Sequence, residues 1–374
     1  MLSREPRPPS RTRERVLSSR QLNRALLARQ LLLKRSALSV PRALERIGAI
    51  QAQYAPSSYV RLWTSLSRFE MADLDRLLEQ RKVVQGTLMR STIHLVSARD
   101  YWPIAEGIGP SRQEWWHRTF GKEFSREEID RIAAKLDARL AGRVWPRREL
   151  DQLMRSHSTT VWSGAWVALI RVPPSGTWRR RRADLFRRAA EWIGPSSADE
   201  AAGLELLLRR YLGGFGPARL ADAAHWAGVP VPSMKSAAER MTLRAFRDED
   251  GRELVDLPRA PLPSAGTTAP VRFLPTWDAT LLTHCRRARI LPEEYRPFVF
   301  SIKAPHSVGT ILVDGAVAGS WRVERSGERA ALSYTAFERI PAAANRELRE
   351  EAAGLIRFVE PGAASYAIVR DATA

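Results

Sequence analysis

Pro217-Ala-Arg-Leu-Ala-Asp-Ala-Ala-His-Trp-Ala-Gly-Val-Pro-Val-Pro-Ser-Met-Lys-Ser-Ala-Ala-Glu-Arg-Met241 is the stretch on which the fold turns. Pro217 to Ala227 has the composition of a helix, Gly228-Val-Pro230 stops it, and Ser233 caps a second helix predicted to run to about Met241. That is a helix-turn-helix. Leu243 to Leu257 follows as two short strands around Asp250-Gly251, a dipeptide that tolerates the backbone of a tight hairpin. A helix-turn-helix with a hairpin behind it predicts a winged helix.

Working outward, the same order of elements can be read twice more. Pro146 to Met154 and Trp162 to Ile170 are predicted helices, with Val172-Pro-Pro-Ser-Gly-Thr177 as the tip of a wing. Nearer the start, Pro41 to Ala52, Ser58 to Leu66 and Met71 to Gln80 are predicted helices, and Val83 to Val96 a strand pair. No fixed period links the copies, so the recurrence is one of architecture and not of tandem repeats. Pro, Gly and Ser punctuate the chain at Gly194 to Asp199 and Pro258 to Pro270. From Val271 the pattern turns to strands, notably Gly309 to Trp321 with another Asp-Gly turn; a helix, Ala342 to Phe358, and a strand, Ser365 to Arg370, close it. The expected organisation is α+β: a disordered basic arm (1–15), winged helices over 16–105, 106–195 and 196–262, and a β-rich region over 263–374.

The 374 residues suffice for two or three cores, and 44% hydrophobic with 27% charged residues is a globular composition. The longest uncharged apolar stretch, Ser156 to Ile170, is too short and polar to span a bilayer, and no apolar run follows the basic N-terminus, so a cytoplasmic protein is expected. One cysteine, Cys285, excludes an internal disulfide, and six scattered histidines offer no metal-ligand spacing, so neither metal nor cofactor is expected. Lys+Arg 60 against Asp+Glu 41 leaves a net charge of +19, and only six of the sixty are lysines. Arginine presents a planar fork of donors that suits phosphate oxygens and base edges, which favours a nucleic-acid partner; a biased codon usage would give the same composition.

Phosphate loops, nucleophile elbows, zinc-protease helices and deaminase motifs are all absent. The carboxylates Asp73, Asp75, Glu127 and Glu128 sit in charge-laced helical stretches and read as solvated faces. One feature stands apart: Gln51-Ala-Gln53, after the apolar Ala43 to Ile50 and before Tyr54-Ala-Pro-Ser-Ser58. In a regular helix residues two apart diverge by about 200°, so the glutamines converge only if the helix opens or ends here, which Pro56 favours. By themselves two glutamines at a helix end are capping or solvated residues.

Ile47-Gly-Ala-Ile-Gln-Ala-Gln53, Leu62-Trp63 and Leu88-Met-Arg-Ser-Thr-Ile-His-Leu-Val96, then Val172 to Trp178, Arg210 to Pro217, Leu274-Pro-Thr-Trp-Asp278 and Val313-Asp-Gly315, together resemble the AlkZ/YcaQ-type winged-helix DNA glycosylases over about residues 16 to 330. The sequence departs from that pattern at Thr64-Ser65, Ser91 and Gln85, where Ala-Arg, Gly and Arg are usual. The resemblance implies three winged helices forming a C-shaped cradle for double-stranded DNA, with Gln51 and Gln53 as catalytic residues at its centre. It makes Arg90, Thr92 and His94 candidates for contacting DNA near the lesion, Arg90 and His94 being expected on one face of a strand. Trp178 with Arg179 and Arg180, in the densest basic cluster, is placed for phosphate contacts, and Arg286 and Arg287, which form a further basic group with Arg289, are also expected to bind DNA.

A glutamine amide neither takes a proton at neutral pH nor carries charge, so it cannot replace the carboxylate pair of ordinary glycoside hydrolysis. An N7-alkylated purine is already cationic and leaves without protonation, so orienting a water and offering carbonyl dipoles suffice. The expected activity is monofunctional removal of bulky or crosslinked N7-alkylpurine adducts, leaving an abasic site; the family includes self-resistance enzymes against genotoxic natural products. Lys34 and Lys82 are the nearest lysines to the motif, so no Schiff-base lyase step is expected. The competing reading is a non-catalytic winged-helix regulator, but no coiled-coil seam for dimerisation is visible and a monomer is expected. An RNA-binding protein would show aromatic sheet motifs, which are missing.

Overall fold

The computed structural model describes residues 15–120, 124–156, 165–284, 288–300 and 308–371. The predicted basic arm (1–15), Trp162, Cys285, Arg286 and Arg287 therefore fall outside the described residues, apart from Arg15 itself.

The deciding stretch folds into the expected elements, except that the first helix begins at Leu220 and the second at Val231 behind Pro230, so that Ser233 lies in its first turn and does not cap it. Helices Leu220–Ala227 and Val231–Glu239 flank a turn at Gly228, and strands Arg244–Asp248 and Glu253–Asp256 pair antiparallel behind them. The helix Glu200–Phe215 packs on this unit through Tyr211 and Phe215, whose rings lie 5.5 and 6.1 Å from that of Trp226. Val16–Leu17 adds a parallel strand to Arg244–Asp248, so the beginning of the chain joins this unit over two hundred residues away. Helix Ser19–Arg29 then reaches the hairpin through a buried ion pair, Arg29 Nη1 to Asp256 Oδ1 at 2.7 Å.

A six-stranded antiparallel sheet runs in the order Ile50–Gln51, Ile93–Ser97, Val83–Thr87, Leu169–Arg171, Leu185–Arg188, Trp145–Pro146. It joins strands from either side of the expected boundary at residue 105, with Gln85 opposite Arg171. Trp162 to Ile170, expected to be a helix, contributes the strand Leu169–Arg171 instead: the apolar, β-branched run into Val172 pairs with Val83–Thr87 on one side and Leu185–Arg188 on the other. Val172 to Asp184 is the connection between two strands of that sheet, close to the expected wing tip.

The C-terminal region is a five-stranded sheet, Arg272–Leu274, Gly309–Val313, Ala316–Ser326 and Arg329–Ala336 antiparallel, with Ser365–Arg370 parallel at the edge. The parallel pair needs a crossover, and helix Ala342–Val359 supplies it, packing Leu348, Leu355 and Ile356 on the sheet. The Asp314-Gly315 turn docks on helix Ser19–Arg29, where Arg20 donates to Asp314 at 2.9 Å and Asn23 Nδ2 to the Gly315 carbonyl at 2.8 Å. No helix among the described residues is long and apolar enough to cross a membrane.

Candidate active site

Helix Val40–Ile47 ends at Gly48, whose φ of 80° closes the last turn. Gln51 is not at the helix end but on the short strand Ile50–Gln51, paired with Ile93–Ser97. The helix has ended before the motif, and Gln53 follows in a bend two residues beyond Gln51, so the two side chains converge without any opening of a helix. Pro56, expected to end the preceding helix, lies instead in the first turn of the next one, Ala55–Ser65, where its missing N–H is not needed.

The two amides meet. Gln51 Nε2 donates to Gln53 Oε1 at 2.6 Å, and Gln51 Oε1 accepts from Arg90 Nη2 at 3.3 Å. Gln51 is buried and Gln53 exposed. Arg90 does not share a strand face with His94: it lies in the turn Met89–Ser91 between two strands, with φ of 51°, and Ser91 follows at 57°. From that turn its Nη1 reaches the Trp226 carbonyl at 2.7 Å, which ties the glutamine site to the helix-turn-helix. His94 is buried directly opposite Gln51, its Nδ1–H donating to the Thr92 carbonyl at 3.0 Å. Burial first, and then the Arg90 charge, lower its pKa to about 3, so it is neutral at physiological pH.

The basic group lies in the 172–184 connection. Trp178 is half-buried with its ring 5.6 Å from Tyr59 and 6.4 Å from Phe358, a packing position. Arg179 and Arg180 are exposed, Arg180 being paired with Asp184 at 2.8 Å, and Arg181 Nη1 donates to the Tyr54 hydroxyl at 3.1 Å. The structure thus brings Gln51, Gln53, Arg90, Thr92 and His94 together, and joins the segment that carries Trp178, Arg179 and Arg180 to them only through Arg181 and Tyr54.

Two hollows flank the pair. Gln53 lines a cavity of about 650 Å³ with mostly apolar walls, which also touches Thr92, Tyr101 and Trp115. Gln51 lines a void of about 10 Å³, roughly one water in size, together with Ser57, Arg61, Thr276 and Asp278. Arg61 is fully buried there: Nε pairs with Asp278 Oδ2 at 2.9 Å, and Nη2 donates to Gln30 Oε1 at 2.7 Å. Asp278 also accepts from the Thr280 amide at 2.9 Å, as befits a structural carboxylate. Gln30 and Arg61 were not singled out in the sequence; an arginine in the otherwise uncharged helix Ala55–Ser65 is the one signal that was there to find. Among the described residues no group of three or more His, Cys, Asp and Glu is placed to hold a metal.

The carboxylates that share hollows with the glutamines are both ion-paired, Asp278 with Arg61 and Asp151 with Arg147 at 2.8 Å. Gln51 and Gln53 lie within residues 44–358, which match a family model described as DNA glycosylase AlkZ-like. The chain belongs to the AlkZ-like DNA glycosylase family. The protein is accordingly a DNA glycosylase. Its fold is similar to that of Streptomyces sahachiroi DNA glycosylase AlkZ, with a TM-score of 0.77 and 21% identity, over 95% of this chain and 100% of that one. A search of curated proteins finds no match. The regulator and the RNA-binding protein weighed from the sequence give way to the enzyme.

Proposed function

We propose that this glycosylase hydrolyses the N-glycosidic bond of bulky or crosslinked N7-alkylpurines in double-stranded DNA, leaving an abasic site. The observation that carries the reading is the contact between Gln51 Nε2 and Gln53 Oε1 at 2.6 Å, with Gln53 facing the large cavity. The amide carbonyls align a water and offer negative dipole ends to the sugar as positive charge develops at C1′. The water oxygen bonds to C1′, the C1′–N9 bond breaks, and its electron pair enters the purine, cancelling the charge at N7. The proton lost by the water passes to solvent. Among the described residues no lysine lines either hollow, in keeping with a monofunctional enzyme that forms no Schiff base.

Three winged helices over 16–105, 106–195 and 196–262, arranged as a C-shaped cradle, would present this centre to the duplex of a monomeric enzyme working in the cytoplasm. Support comes from the helix-turn-helix and hairpin of residues 220–256 and from the tie of Arg90 to Trp226. Arg179 and Arg180, exposed within the 172–184 connection, suit phosphate contacts. Arg90 and Thr92 reach the lesion side, while His94 acts from behind as a buried neutral group.

The test is chemical. Wild type and Gln53→Ala are incubated with duplex carrying one N7-alkylguanine or a crosslinked purine, and abasic sites are revealed by alkali. Breaks with wild type that fade in the variant support the reading; equal cleavage of a uracil-containing duplex would overturn the requirement for a cationic base.

A further inference from the structure

We propose that Arg181 and Tyr54 together hold a DNA phosphate that flanks the excised base, a contact distinct from those assigned to Arg179 and Arg180. This rests on Gln53 as the place of the reaction and adds the backbone contact that brings the sugar to it.

Tyr54 follows Gln53 in the chain and keeps 43% of its surface exposed. Its hydroxyl accepts from Arg181 Nη1 at 3.1 Å, across 127 positions of sequence. Both partners are anchored to one helix. Trp178 packs edge-on against Tyr59 of helix Ala55–Ser65, which starts immediately after Tyr54. Arg181 in turn lies over the Trp178 ring at 5.3 Å, and its Nε donates to the Trp178 carbonyl at 3.4 Å. An exposed arginine tied in this way has fewer rotamers to lose when it takes a ligand, so its charge is presented at low entropic cost.

The charges make that ligand an anion. Arg180 gives Nε and Nη2 to Asp184 at 2.9 and 2.8 Å, so its charge is met inside the protein. Arg181 is bonded to a hydroxyl and a carbonyl, neither of them charged, and among the described residues no carboxylate pairs with it. The first turn of helix Ala55–Ser65 holds no acidic residue, so its positive end adds to the field around Tyr54. Because the phenol oxygen accepts from Arg181, its hydrogen stays available, and Arg181 Nη2 makes no bond among the described residues. Guanidinium and phenol can thus each donate to an oxygen of one phosphate. The amide of Gln53, the next residue, meets Gln51, so a phosphate held at Tyr54 belongs to the nucleotide at the glutamine pair or to its neighbour.

The experiment uses duplexes carrying 7-methyl-7-deazaguanine, an uncharged analogue that resists excision. Each has every phosphate charged or one neutral methylphosphonate, placed on the 5′ side of the analogue, on its 3′ side or at the far end of the duplex. For wild type, a methylphosphonate on one side of the analogue is expected to weaken binding about tenfold, as loss of a charge-assisted hydrogen bond does, and at the far end by less than about twofold. In Arg181→Ala the flanking penalty is expected to fall below about twofold, because the cation that met the charge is gone. Arg181→Lys, which keeps the charge, retains more of the penalty than Arg181→Ala, and Tyr54→Phe, which keeps the ring and loses the donor, retains only part of it. Thermal melts show that the variants fold, and the wild-type comparison needs no variant. A wild-type penalty below about twofold on both sides of the analogue, one equally large at the far end, or a full penalty in Arg181→Ala overturns the phosphate site. Abasic-site release from an N7-methylguanine duplex is measured on the same preparations: release without a flanking penalty overturns the phosphate site alone. A flanking penalty that vanishes in Arg181→Ala, with no release from any N7-alkylated duplex, supports the phosphate site and overturns the N7-alkylpurine reading.

Discussion

Gln51 stands directly opposite His94 in the antiparallel pairing of Ile50–Gln51 with Ile93–Ser97. The imidazole is neutral, with its pKa lowered to about 3 by burial and by Arg90, against an ordinary value near 6.5. Because the folded value lies below the unfolded one, the stability His94 contributes is present above about pH 6.5 and is lost as pH falls toward 3, where the unfolded chain binds the extra proton. The urea midpoint of wild type should therefore fall more steeply between pH 7 and 4 than that of His94→Gln. His284, also buried and lowered, remains in both proteins and cancels in the comparison. Parallel curves would show that His94 does not titrate on unfolding.

The hydrogen bond between Gln51 and Gln53 makes the two amides one unit, so their losses should not add. Gln51→Ala and Gln53→Ala should each lower single-turnover excision by about 10²–10³, the usual worth of one preorganised polar group, with the double variant little worse than either. Rates measured on one N7-alkylguanine duplex decide it; a double variant whose loss is the product of the single losses would separate the two roles.

Arg29 and Asp256 are both fully buried, joined by bonds of 2.7 and 2.9 Å, and link the first long helix to the hairpin behind the helix-turn-helix. Asp256→Ala leaves a buried guanidinium without its carboxylate and should cost about 3–5 kcal/mol in chemical denaturation. A loss below about 1 kcal/mol would mean that water reaches the site and compensates.

Gln85 ties the central sheet to the 172–184 connection: its Nε2 donates to the Gly176 carbonyl at 2.8 Å, while its Oε1 accepts from Arg171 at 2.9 Å. Gly176 has φ of 73°, and a Cβ there would meet Arg171 and Gln85. Gly176→Ala should destabilise the protein by about 1–3 kcal/mol, through backbone strain and the displaced network together. Thermal melts of the variant read this directly, and an unchanged melting temperature would show that the connection yields.

What could be read in the chain differs from element to element, for physical reasons. The helix-turn-helix near Trp226 and the hairpin at Asp250-Gly251 were legible because each is specified by residues within a few positions of one another, the Gly-Val-Pro stop and the turn dipeptide. Trp162 to Ile170 was misread because a short apolar run carries no period of its own, and its strand pairing is supplied by Val83–Thr87, more than eighty residues earlier. Arg90 was placed on a strand because its left-handed backbone, in a residue other than glycine, has no signature in its side chain.

The sequence by itself determined the chemistry available: an uncharged Gln51 and Gln53 pair, an arginine-rich surface and no catalytic carboxylate motif. These are properties of side-chain type and near spacing, which travel with the chain whatever its fold. Only the tertiary structure decided that the two amides meet, because Gln51 becomes a strand residue by pairing with a segment some forty positions on. It alone decided, too, that Trp115 is exposed and Trp116 buried: neighbours in sequence separate only when distant helices and strands close around one of them.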